Sequence, residues 1–294
     1  MSSDQIRAFT FDDAPIRGRV VRLTDAWQTI RSRHQHDEAA EQLLGEMVAI
    51  VAMLAQGIKL DGSVMLQIRG NGSVRTAMAE CVDRTMLRGI LRTGDASATD
   101  RARVGGAGQL AITLKPHRGQ MYQGIVLLEA DSVSRAVETY FDTSEQLPTR
   151  IWATATPQSA VGLMLQRMPD PPRARPPKIE QIAETWRRIQ MLADTVTDRE
   201  LLTLPADRLL VRLFNGEAVR LRQPQDLEFG CTCSRERTAN TLRILGRAEV
   251  DDILAQEGRI EVTCEFCGAN YRYDPIDARL LFEPFAMGLP NSRQ

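Results

Sequence analysis

No stretch of this 294-residue chain is apolar enough to cross a bilayer: the longest uncharged apolar run, residues 47–55, is nine residues long, against about 20 for a membrane-spanning helix. The first fifteen residues carry acids and contain no continuous apolar segment, so neither an export signal nor a membrane anchor is expected. Charge of one sign is lacking too. With 37 basic and 38 acidic residues, a formal net charge of −1 gives no overall field to attract nucleic acid or an anionic membrane; either would need a local patch. There is no internal repeat, no long low-complexity tract, no Walker lysine motif, no nucleophile elbow and no paired-carboxylate signature, so nothing marks an enzyme. Cysteine is scarce. Five are present, four in metal-ligand spacing and one apart, which is not the disulfide framework of a small secreted domain and suits a reducing cytoplasm.

What is present is an ordinary soluble composition, 43% hydrophobic and 26% charged, with room for one sizeable core and one or two smaller units. The clearest boundary is MPDPPRARPPKI, where Pro169, Pro171, Pro172, Pro176 and Pro177 deny the backbone helix continuation and ladder donors. It divides the chain into a core over 1–170, a proline-rich junction with amphipathic helices over 171–225, and a terminal module over 226–294. In the core, residues 19–23 read as a strand and 37–55 as a helix buried on most sides. Segments 64–68 and 74–78 flank Gly70-Asn71-Gly72 as a hairpin, and 87–91, 110–114 and 122–127 read as further strands. Strands arriving in succession predict an α+β fold with antiparallel pairing. Beyond the prolines, Ile179, Ile182, Ala183, Trp186, Ile189 and Leu192 recur at helical spacing. A second helix is expected over 205–214. In the terminal module Ser234 is placed to cap a helix that stops at Gly246, a second short helix follows, and 259–262 and 271–273 read as strands around TCEFCG.

The chemistry concentrates in four cysteines. Cys231 and Cys233 form a CxC, Cys264 and Cys267 a CxxC, and thirty residues separate the pairs. Four thiolates on two loops make a tetrahedral cage for one Zn2+ with no coordination position open to a substrate. A structural zinc of this kind contributes on the order of 10–16 kcal/mol, as much as a whole domain's stability, so loss of the metal should unfold so small a unit. Because the ligand is the thiolate, a sulfur joined in a disulfide no longer serves. Spacing alone favours a permanent zinc staple, and a switch needs more than spacing. It also admits a nucleic-acid-binding ribbon, although residues 231–274 hold six basic and eight acidic residues, a poor footprint for phosphate. A thiol oxidoreductase working through Cys264 and Cys267 would lack the usual βαβ setting.

FGCTCSRER and CEFCGANY at this separation, with YFDTSEQLPTR, AQGIKLDGSVMLQIRGNG and ELLTLPADRLLVRLF upstream, resemble the heat-shock protein 33 family, bacterial redox-regulated holdase chaperones, over nearly the whole chain. The resemblance implies a cytoplasmic, non-enzymatic chaperone that is weak when reduced and zinc-bound. Oxidation would make it bind unfolding client proteins without ATP, through loss of zinc and destabilisation of the neighbouring linker. It implies that Cys231, Cys233, Cys264 and Cys267 are both zinc ligands and redox sensors, closing Cys231–Cys233 and Cys264–Cys267 disulfides. It implies a homodimer when oxidised; on the charge balance above, neither a nucleic-acid nor a membrane partner is expected.

Other residues carry blander readings. Cys81 in AMAECVD is expected to be a buried small hydrophobe. Arg235 and Arg237 could favour the adjacent thiolates or lie on a solvated face. His34 and His36 lack a matching ligand cluster, and Gly105-Gly106-Ala107-Gly108 precedes a strand, so it is a turn and not a phosphate loop.

Overall fold

The computed structural model describes residues 4–33, 36–58, 60–94, 108–128, 132–169 and 176–283. His34 and the expected turn at 105–107 lie outside these. Two compact units are present, one ending at Gly230 and the other starting at Cys231.

The first unit runs β1 (Gln5–Phe11), β2 (Ile16–Leu23), α1 (Asp25–Arg31), α2 (Glu38–Gly57), β3 (Gly62–Arg69), β4 (Val74–Val82), β5 (Met86–Thr93), β6 (Gly108–Pro116), β7 (Tyr122–Leu128), α3 (Val133–Tyr140), β8 (Thr149–Ala155), β9 (Ala160–Arg167), α4 (Pro176–Ala193), α5 (Asp198–Thr203) and α6 (Ala206–Phe214). Three short strands close it, β10 (Val219–Leu221), β11 (Gln225–Asp226) and β12 (Glu228–Phe229). The first sheet has the order β10-β1-β2-β9-β8, with β11 also on β1, and the second has the order β12-β5-β4-β3-β6-β7. Pairing is antiparallel except for β12 on β5. The α+β class holds, and the β3–β4 hairpin forms around residues 70–73, with a register shift between Val74 and Thr76.

The helix expected at 37–55 is α2, capped by the Asp37 carboxylate accepting from the Ala40 amide, and every side chain from Leu43 to Ala55 is buried. Its position explains why: it packs against β2, β8 and β9 of the first sheet and β3, β4 and β5 of the second. The first sheet is covered on its other face as well. Alternation along β2 and β9 sends Val21, Leu23 and Met164 towards α2, and Val20, Leu163 and Leu165 into a second apolar layer with Trp186, Ile189 and Leu213 of α4 and α6. The chain after the prolines therefore folds back onto the same sheet. α4 takes in Pro176 and Pro177 rather than starting beyond them, because amides of the first helical turn have no intrahelical acceptor and proline loses nothing there. Among the described residues no helix is long and apolar enough to cross a membrane.

The second unit consists of α7 (Arg235–Leu245), α8 (Arg247–Glu257), the hairpin β13 (Ile260–Thr263) and β14 (Asn270–Tyr273), and α9 (Pro275–Phe282). Ser234 caps α7 through its side chain, and Gly246 ends it at φ +100°. Helix α9 is not foreseen from the sequence, although Asp274 forms a capping box with Asp277 and Pro275 occupies its first turn. The buried core is small: Ala239, Leu242, Val250, Ile260, Tyr273 and Ala278.

Candidate metal centre

The chain before α7 carries Cys231 and Cys233, and the turn joining β13 to β14 carries Cys264 and Cys267. The turn is held by the Gly268 amide donating to the Cys264 carbonyl and the Cys264 amide donating to the Ala269 carbonyl, both at 2.8 Å. Gly268 sits at φ +73°, a conformation that costs glycine least. The four Sγ atoms lie within 4.8 Å of one another, with Cys231 and Cys264 at 3.6 Å and Cys233 and Cys267 at 3.3 Å. A tetrahedron with metal–sulfur bonds of about 2.3 Å has sulfurs about 3.8 Å apart. The constellation fits one tetrahedral, thiophilic ion, and all four predicted positions converge on it.

Polar groups around the sulfurs are arranged to support negative charge. Burial pushes the Cys231 thiol up, against the Cys233 amide that faces its Sγ, and the Ala269 amide faces Cys267 Sγ. The Tyr271 hydroxyl donates to Cys233 Sγ at 3.1 Å. Burial opposes ionisation of Cys233, but the bonds from Tyr271 and the other thiols outweigh it and hold the pKa down to about 7. Cys267 is pushed up to about 12 by burial and by its three sulfur neighbours, against the Ala269 amide. Sulfurs this close ionise together only around a cation.

Tyr271 escapes a reading of the sequence, which treats it only as a strand residue. Its register offers the one available signal: it lies across from Val262, two residues before Cys264. Arg235 does not point to the thiolates. Its guanidinium donates to the Arg272 carbonyl at 2.8 Å and to Asp277 at 2.7 Å and lies 4.5 Å from the Tyr273 ring centre, tying α7, β14 and α9 together. Arg237 donates to the Thr232 hydroxyl. Cys81 lies in β4, fully buried, as expected of a small hydrophobe.

A family model described as Hsp33 protein matches residues 4–274. The 33 kDa chaperonin of Nitrosococcus oceani is 41% identical over 281 residues, covering 95% of this chain and 94% of its own length. That of Pseudomonas aeruginosa is 40% identical over 284 residues and 95% of each chain. The crystal structure of a 33 kDa chaperonin from Thermotoga maritima matches with a TM-score of 0.81 over 95% of this chain and 97% of its own; at 21% identity the likeness is one of fold.

Proposed function

The chain belongs to the Hsp33 protein family, a family of chaperones, and from that premise we propose that it is an ATP-independent holdase switched on by oxidation of its four clustered cysteines. The observation that carries this reading is the convergence of four sulfurs within 4.8 Å in a unit whose own buried core is only six side chains among the described residues. In the reduced state Cys231, Cys233, Cys264 and Cys267 hold one Zn2+ as thiolates. The ion supplies charge neutralisation and a large part of the folding free energy, on the order of 10 kcal/mol.

Oxidation proceeds at sulfur. Cys231 with Cys233, and Cys264 with Cys267, each give up two electrons to a peroxide; a sulfur–sulfur bond forms, the peroxide O–O bond breaks, and its oxygens leave as two waters after taking up two protons. Sulfurs joined in disulfides would no longer serve as ligands for a cation, and the unit beginning at Cys231 would lose the constraint its small core cannot replace.

The segment from 171 to 225 forms the moving part between a stable core up to residue 170 and the switch module from 226. Helices α4 and α6 cover Phe9, Ile16, Val20, Leu163 and Leu165 on the first sheet. Their release would bare an apolar sheet face and the Trp186 stripe together, a patch of the kind that binds unfolding chains. The reading includes a cytoplasmic location, a homodimer in the oxidised state, no catalysis, and no nucleic-acid or membrane partner; the acidic balance of residues 231–274 supports the absence of nucleic acid.

Peroxide treatment under mild heat, with zinc release followed by a metallochromic dye and client aggregation by light scattering, tests this reading. Zinc release and suppression of aggregation should rise together. Zinc-free, fully oxidised protein that protects no client would reject it.

A further inference from the structure

Arg22 lies on β2 with Gln5 of β1 and Val161 of β9 as its register partners, on the sheet face that α4 and α6 cover. Its guanidinium donates to three backbone carbonyls, Leu202 at 2.6 Å and Leu201 and Leu204 at 2.8 Å each. These belong to the end of α5, where carbonyls run out of intrahelical donors. The sequence deepens that shortage. In a continuing helix the Leu201 carbonyl would accept from the amide of residue 205, and residue 205 is proline, which has none. Leu204 has already turned extended, at φ −84° and ψ 136°, so the helix cannot satisfy itself. A cation is favourable at a helix C-terminus, and the planar fork of an arginine lets one side chain serve several acceptors. Leu201 is itself buried in the apolar layer below.

Other ion pairs of this region tie its parts to one another. Arg212 of α6 pairs with Glu200 of α5 at 2.7 Å, and Arg188 of α4 pairs with Glu217 at 2.7 Å. Their arginines are 41% and 51% exposed, where such pairs contribute little. Arg22 ties the cover to the sheet.

We propose that Arg22 is a latch: by capping α5 from the strand beneath, it holds the α5–α6 corner on the first sheet and keeps the reduced protein inactive, independently of the metal. The proposal rests on the reading that departure of this cover exposes the client-binding surface. Two variants test it in the full-length, reduced, zinc-loaded protein. Arg22→Met keeps the apolar stem and removes every donor; Arg22→Lys keeps the charge and loses the fork. Hydrogen exchange, zinc content and client protection are read on each.

Arg22→Met should exchange at least about tenfold faster over residues 198–204, keep protection in β9 and its zinc, and protect client without peroxide. Arg22→Lys should fall between it and the parent. If Arg22→Met loses protection throughout β9, Arg22→Lys decides: faster exchange over 198–204 with an intact sheet supports the latch, and parent-like exchange overturns it. Parent-like exchange and inactivity in both variants, while oxidised parent protects client, removes the latch and leaves the holdase reading standing. Oxidised parent that protects nothing removes that reading and the latch with it.

Discussion

The sulfurs of the second unit depend on single neighbours. Tyr271→Phe removes the hydroxyl that bonds Cys233 and leaves the ring in place. Zinc retention against a chelator is expected to weaken by about tenfold with helical content unchanged; unchanged retention would show that the 3.1 Å contact does not support the site. Cys81 is the contrasting thiol. Burial first, then the charges of Glu80 and Asp83, push its pKa up to about 12, so it stays protonated and unreactive well above neutral pH. Iodoacetamide at pH 7.5 should leave Cys81 unmodified in folded protein, as read by peptide mapping, and alkylation there before unfolding would contradict this. The four clustered cysteines are legible in the sequence because each pair carries its own ligand spacing. Tyr271 is not, because its contact joins positions 38 apart and depends on strand register.

At the level of elements, legibility follows length as much as how many faces a segment buries. Helix α2 is readable by length and apolar periodicity. The adjoining strand β9, Ala-Val-Gly-Leu-Met-Leu-Gln-Arg, is not, because it is covered by α2 on one face and α4–α6 on the other, and a short run apolar on both faces carries no period. Helices α5 and α9 are short, and only their capping boxes, Thr197 with Glu200 and Asp274 with Asp277, announce them. The cap foreseen at Ser234 does form, its hydroxyl accepting from the Arg237 amide at 3.2 Å. Ser234→Ala should cost the second unit about 1 kcal/mol, seen as an earlier thermal transition of residues 231–283 with the first unit's transition unmoved. An unmoved second transition would show that the metal alone fixes the start of α7.

Across the whole chain, the two units differ in what holds them. The first has two extensive apolar layers on either side of one sheet; the second has a small core, polar ties such as Arg235 to Asp277, and a four-sulfur cluster. The prolines near 170 are visible in the sequence as a break in the chain, but the return of α4–α6 to the first sheet is not, since packing between distant segments leaves no local pattern. A chain built this way should respond to thiol oxidation from its C-terminal unit first. The most direct test measures zinc content and residue-level hydrogen exchange on one sample before and after complete peroxide oxidation. The account predicts loss of the zinc together with loss of protection across residues 231–283, while α2 and the strands packed on it stay protected. Retained protection in 231–283 after all four sulfurs are oxidised and the metal is gone would contradict it.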